Sequence, residues 1–402
     1  MRWLFLLAVA LLLNACSDTD APGDQEKERV QIELLPFASS YEEKLDVSLT
    51  RGDDSWTPPS PYVTYDNLNS KFAKQKDLMG KSISVFFTKD DADPMEGTFF
   101  YRNSTNTWQL SNLDVTEGDY YLYGYIPKED ATSASITPNE SYSDGAVLTI
   151  KGLNTVTPSD VCVLIGAKEG PDKYHDGDID DPLRPGFFKT HINATDGGNN
   201  YIYLLFDHIY ASLRFRFKVD PVYDALRTIR LRKLELVAYS SQSGGEVYAK
   251  FDAKITLKAT SGASPIVGSV EFFPDENSTN VPPMPIFEGD VKLKTTAATE
   301  FIGSFVPGDN TYFKLRSTYD VYDKNVNKNG NGEPILDEDG EPVGNLIRQG
   351  CKAENTIDLR KWFGNDLVTT RGHSYSLTMT VQPTYLYVLS DPDLDNPTVV
   401  IQ

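Results

Sequence analysis

Leu213-Arg214-Phe215-Arg216-Phe217-Lys218-Val219 alternates apolar and basic side chains at every step. Successive residues of a strand point to opposite faces. The run therefore puts its Leu, Phe and Val side chains on a core and its Arg and Lys side chains in water or against a partner. The same period recurs upstream. Val30, Ile32 and Leu34 alternate with Gln31 and Glu33, and Leu45, Val47 and Leu49 alternate with Asp46, Ser48 and Thr50. Tyr120-Tyr121-Leu122-Tyr123-Gly124-Tyr125-Ile126 is aromatic at nearly every second position and stops at Pro127.

Composition extends this reading to the whole chain. Among 402 residues, 24 Pro and 28 Gly punctuate runs drawn from 22 Tyr, 20 Phe and many β-branched residues. Such spacing predicts an all-β protein. Strands are expected at 83–88, 97–101, 147–150, 161–167, 201–206, 247–251, 266–273, 301–305, 312–322, 375–381, 385–389 and 398–401, with one helical turn at 223–226. The segment 169–200 is rich in Gly, Asp and Pro and reads as a loop carrying a domain boundary. The expectation is two β-sandwich domains in tandem, 52–196 and 197–402. Residues 325–344 read as a second long loop.

The net charge of −20 argues against a nucleic-acid partner, which requires a basic face. Val161-Cys162-Val163-Leu164-Ile165 places Cys162 in a buried strand, as a core thiol. The four histidines, His175, His191, His208 and His373, have no metal-ligand spacing along the chain, and no metal or cofactor is expected. Asp323, Asn325, Asn327 and Asn329-Gly330 begin like a calcium loop, but Leu336 stands where the bidentate Glu belongs. The acidic run 176–181 has the charge for calcium without the spacing. Neither a nucleophile elbow nor a phosphate-cradling Gly loop is present, so no catalytic residues and no enzyme activity are expected.

The N-terminus carries an address. Arg2 precedes an apolar run from Leu4 to Leu13, too short to span a bilayer as a stable anchor. Leu13-Asn14-Ala15-Cys16 resembles a bacterial lipobox, which implies a signal peptide of residues 1–15 and acylation of the Cys16 thiol. Acyl chains contribute about 0.8 kcal/mol per buried methylene, enough in pairs to hold a protein on a membrane. The acidic, nearly apolar-free stretch 17–28 reads as a tether. It loosely resembles the export signal of surface lipoproteins in Bacteroidales-type bacteria.

In their order along the chain, these features resemble the fimbrillins, the pilins of the type V pilus of Bacteroidales. The resemblance is carried by the lipobox, by Leu49-Thr50-Arg51-Gly52, by Tyr125-Ile126-Pro127, by Phe206-Asp207-His208 and by the late strand Tyr375-Ser376-Leu377-Thr378-Met379-Thr380-Val381. Gly52 stands where the family more often has Ala. The resemblance implies Greek-key, transthyretin-like sandwiches and a lipidated leader of residues 16–51. It also implies cleavage between Arg51 and Gly52 by an Arg-specific surface protease. The leader strand with Leu45, Val47 and Leu49 would cover a groove. After cleavage a C-terminal strand of the next subunit would fill it, with Tyr385, Tyr387, Leu389, Val399 and Ile401 as candidate donor residues. The implied partners are other pilus subunits, the outer membrane through lipid on Cys16, and a receptor on a host or bacterial surface. A surface glycan-binding lipoprotein is the alternative, although Trp56, Trp108 and Trp362 are few for aromatic sugar platforms.

Overall fold

The computed structural model describes residues 31–39, 42–44, 65–67, 81–102, 107–111, 113–170, 186–193, 199–240, 245–247, 249–259, 267–275, 284–296, 299–337, 340–385 and 392–401. Strands dominate them. In chain order these are β1 (Gln31–Ser39), β2 (Glu42–Lys44), β3 (Tyr65–Asn67), β4 (Ser82–Lys89), β5 (Ala92–Arg102), β6 (Thr107–Ser111) and β7 (Gly118–Ile126). Then come β8 (Ser133–Pro138), β9 (Gly145–Asn154), β10 (Val156–Thr157), β11 (Cys162–Gly170), β12 (Lys189–Ile192), β13 (Asn199–His208) and β14 (Ala211–Val219). After the helical turn α1 (Pro221–Asp224) follow β15 (Arg227–Ser240), β16 (Gly245–Val247), β17 (Lys250–Lys258), β18 (Val267–Pro274), β19 (Pro285–Lys292) and β20 (Thr299–Phe305). The chain continues through β21 (Tyr312–Val326), β22 (Gly344–Asp358), the turn α2 (Arg360–Phe363), β23 (His373–Tyr385) and β24 (Pro392–Ile401).

The all-β expectation holds. The N-terminal part is organised round a barrel, where the sequence suggests a sandwich. The order β11-β13-β1-β6-β5-β4-β7 closes on itself, because β7 pairs back to β11 through Ile126↔Cys162 and Tyr125↔Val163. Closure leaves these strands no free edge. Inside sits one apolar cluster that includes Val85, Phe87, Phe99, Leu122, Leu164 and Leu204. Next to the barrel lies a sheet of order β18-β17-β9-β8. A second cluster joins it to the barrel wall through Phe86, Tyr123, Tyr125, Leu148, Ile150 and Ile255. Val85 and Phe87 thus face the barrel interior, and Phe86 between them faces the sheet. Burial on both faces explains why β4 is buried almost continuously, without the alternation of a half-exposed strand. Gly124 keeps β7 against β4, since a Cβ there would meet Ser84 O at 2.1 Å.

The C-terminal part packs two sheets face to face, β10-β20-β14-β23 with β2 and β24 on its outer edge, and β16-β15-β21-β22 with β19. Leu213, Phe215, Phe217 and Val219 enter their shared core, and Arg214, Arg216 and Lys218 are half-buried on the other face, as the alternation requires. Asp220 caps α1 by accepting from the Val222 and Tyr223 N–H groups, with Pro221 at the first helical position.

Two connections were not foreseen. The β17–β18 hairpin comes from the second half of the chain, yet β17 pairs with β9. The strand expected to open the second domain, β13, is a barrel stave between β11 and β1. The chain crosses between the two parts at Ile209-Tyr210, where the Ile209 N–H donates to Val161 O at 3.0 Å.

Candidate functional site

The decisive geometry is that of β1, which lies upstream of Arg51. Ile32 and Leu34 point into the barrel, 2% and 4% exposed, as their alternation predicts. On one side β1 runs parallel to β13 over eight residue pairs, from Gln31↔Asn199 to Ala38↔Phe206. On the other it is antiparallel to β6 at Glu33↔Gln109 and Leu34↔Trp108, then to β3 at Phe37↔Asn67, Ala38↔Asp66 and Ser39↔Tyr65. Pro36, which has no N–H to donate, sits where the partner on that side changes from β6 to β3. Trp108, opposite Leu34, is fully buried and tilted on Tyr101 with ring centroids 5.4 Å apart. Without β1, Trp108 and Ile202 would lose their aliphatic cover, and β13 and β6 would each present an unpaired edge.

The same upstream segment reaches the C-terminal sheet. β2 pairs parallel with the start of β23 at Glu42↔His373, Glu43↔Ser374 and Lys44↔Tyr375. Further along the same edge, β24 pairs antiparallel with β23, from Met379↔Ile401 to Tyr385↔Pro392, with Val399 opposite Val381. Tyr385 is the last residue of β23, so the strand expected at 385–389 begins as a continuation of the preceding one. Cys16, Leu45, Val47, Leu49, Arg51, Gly52, Tyr387 and Leu389 lie outside the described residues. The described cover of the barrel comes from Ile32 and Leu34, a strand the sequence reveals but to which it assigns no role.

Charged groups elsewhere serve the fold. Asp290 accepts from Arg230 at 2.6 Å and faces Arg232 at 2.5 Å. Partial burial works against its charged form, but the hydrogen bonds from Arg230 and Arg232 outweigh this and hold its carboxyl below the usual range. Burial pushes the Tyr123 hydroxyl well above its ordinary value, and it donates to Tyr142 O at 2.5 Å between barrel and sheet. The calcium-like loop satisfies itself: Asp323 accepts from the backbone N–H groups of Asn325 and Asn345, and Asn329 Oδ1 from those of Asn331 and Glu333. The acidic run 176–181 and His175 lie outside the described residues. His191 bonds Asp119 at 2.8 Å, and His373 Nδ1 lies 3.1 Å from Arg371 O. His208 is different: Asp160 Oδ2 and Cys162 Sγ both approach its Nδ1, at 2.7 and 3.4 Å. A catalytic relay needs the two imidazole nitrogens to face different partners, so this group is not arranged as a Cys-His-Asp triad.

The architecture is that of a barrel completed by an N-terminal stave and joined to a two-sheet lobe. Structures to which the chain is similar are fimbrial and candidate cell adhesion proteins. One is a candidate cell adhesion protein from Bacteroides fragilis NCTC 9343, with 14% identity, TM-score 0.38, and 93% of this chain and 97% of that one covered. A fimbrial protein from Bacteroides vulgatus ATCC 8482 follows at 12% identity and TM-score 0.30, covering 93% and 98%. The fimbrial anchor protein Mfa2 from Porphyromonas gingivalis has 10% identity and TM-score 0.24, covering 92% and 96%. No family model and no curated protein sequence matches the chain.

Proposed function

We propose that this chain is a non-catalytic, structural and adhesive subunit of a cell-surface fimbria. In this reading it is exported as an outer-membrane lipoprotein held by lipid on Cys16, cleaved after Arg51, and polymerised by donor-strand exchange. The observation that carries the reading is the position of β1. A segment N-terminal to the Thr50-Arg51 site is a stave of the barrel, paired on both sides and contributing Ile32 and Leu34 to the core. Each buried aliphatic side chain is worth about 1.5–3 kcal/mol. The uncut precursor therefore stays closed. Cleavage after Arg51 cuts the covalent tie of β1 and β2 to the rest of the chain, and a strand of another subunit then competes for the slot with backbone pairing and side-chain burial together. β24 is the proposed donor, through Val399 and Ile401. Residues 16–51 form the leader. The remainder divides into an N-terminal lobe that β13, β17 and β18 join and a C-terminal lobe, the two being read as modified transthyretin-like Greek-key units.

The test uses purified precursor treated with trypsin and followed by size-exclusion chromatography and electron microscopy. Wild type is expected to be cut after Arg51 and to form fibres, and Arg51→Ala to remain an uncut monomer. Arg51→Ala precursor that assembles as fast as wild type would rule out the switch.

A further inference from the structure

The junction between barrel and C-terminal lobe gathers three donor groups of different kinds. Cys162 and His208 are a cross-strand pair in the β11–β13 register. Side chains of directly opposed residues share a face, so the strands themselves bring thiol and imidazole together, each residue only 3% exposed. Asp160, two residues before Cys162, falls on the same side and is the outermost of the three, its side chain 32% exposed. One ligand atom from each residue, an oxygen, a sulfur and a nitrogen, lies within 4.8 Å of the others.

His208 Nδ1 holds at most one proton, and the carboxylate at 2.7 Å is the stronger acceptor, which leaves the thiol at 3.4 Å a weak second partner. This donor set suits a borderline-soft divalent cation, which takes imidazole nitrogen, thiolate and carboxylate at about 2.0–2.3 Å. Ligand atoms at those bond lengths in tetrahedral array stand roughly 3.3–3.7 Å apart. The sulfur–nitrogen separation already fits, and the half-exposed Asp160 carboxylate has room to move outward. The backbone behind the ligands is braced. The His208 N–H donates to Asp207 Oδ1 at 2.9 Å, and Arg371, from the C-terminal lobe, donates to Asp207 Oδ2 at 2.7 Å and to His208 O at 3.0 Å. Such outer contacts hold ligands in place.

We propose that Asp160, Cys162 and His208 form a binding site for one divalent transition-metal ion of the zinc type, with water as the fourth ligand. Binding releases the Cys162 thiol proton to solvent, His208 coordinates as neutral imidazole through Nδ1 with its one proton on Nε2, and no electron is transferred. The ion would tie β11 to the end of β13 where the chain leaves the barrel, and so stiffen the crossing to the C-terminal lobe. This inference stands apart from the fimbrial reading.

The experiment takes the purified full chain, strips it with a chelator, and titrates it with cobalt(II) and then zinc(II). One equivalent is expected to bind, with a thiolate-to-cobalt absorption in the near ultraviolet that zinc abolishes. Cys162→Ser should lose that absorption, and Cys351→Ser should keep it. His208→Gln and Asp160→Asn should weaken zinc binding roughly tenfold or more. If Cys162→Ser does not fold, wild-type protein decides the matter: bound zinc should slow alkylation of Cys162, read by peptide mass. An absorption that persists in Cys162→Ser, zinc affinity unchanged in Asp160→Asn, or alkylation of Cys162 indifferent to zinc would overturn the site.

Discussion

The two terminal strands, β1 and β24, are built on opposite principles. β1 is enclosed: β13 lies on one side, β6 and β3 on the other, and Ile32 and Leu34 belong to the barrel core. Among the described residues β24 pairs with β23 alone, on whose outer edge it lies. Taking β1 away leaves a slot with two unpaired walls and an uncovered Trp108. Removal of β24 leaves one bare edge of an otherwise intact sheet. In the proposed reading, the slot of the N-terminal strand is the acceptor and the C-terminal edge strand the donor. The difference lies in topology, because both strands carry suitable side chains.

The largest expected effect tests the acceptor. A chain beginning at Gly52 lacks β1 and β2 and should expose the barrel interior, bind a hydrophobic dye and self-associate on size-exclusion chromatography. A chain ending at Asp391 lacks β24 and should stay folded and monomeric by circular dichroism and the same column. Adding a peptide of residues 31–39 should return the first chain to the monomer, and a peptide of residues 392–401 should compete for the same slot. If the two truncations behave alike, the distinction between enclosed and edge strand has no functional meaning. If only the 31–39 peptide binds, the slot is real and β24 is not its donor.

Point substitutions sharpen the same contrast. Leu34→Ala in the full chain removes a core side chain opposite Trp108 and should cost about 2–5 kcal/mol in urea unfolding. Thr398→Ala, at a half-buried position in β24, should stay within about 0.5 kcal/mol. Equal losses would show that β24 is as firmly held as β1, and would count against its release.

How much of this was legible in the sequence depended on whether the signal is local. Ile32, Leu34 and Leu213 to Val219 could be placed because period-2 alternation is written in consecutive residues. β22 begins at the end of the expected loop 325–344 and runs through a stretch where no strand was expected. Its side chains are mostly exposed, and its pairing with β21 is reinforced by ion pairs such as Glu354 with Lys314 and Arg316, so no apolar alternation marks it. Closure of the barrel by Ile126↔Cys162, and capture of the β17–β18 hairpin by β9, are long-range pairings with no local trace. The Asp160–Cys162–His208 group was missed for the same reason. Metal-ligand spacing was sought along the chain, whereas strand register joins residues 46 apart.

The smallest effect separates the lobe that holds β24 from the barrel that holds β1. Asp290 on β19 bridges Arg230 and Arg232 of β15, inside the C-terminal lobe. Although partial burial opposes it, hydrogen bonding from both guanidiniums keeps the folded-state carboxyl below its ordinary value. A carboxyl of that kind releases its proton more readily in the folded than in the unfolded chain. Its contribution is therefore complete above the ordinary carboxylate value of about 3.9 and is lost as pH falls through and below it. The side chain is 39% exposed, so solvent screens the bridge and the effect is modest. Asp119, on the barrel rim, is held low in the same direction by Lys189 and His191, but its side chain is more exposed than that of Asp290 and it should matter less. Unfolding midpoints measured from neutral pH down to about pH 3 should therefore show a shallower acid-induced decline for Asp290→Asn than for wild type. Asp119→Asn should track wild type. If Asp119→Asn flattens the decline instead, acid loosens the barrel first, and the C-terminal lobe is not the part that yields its strand.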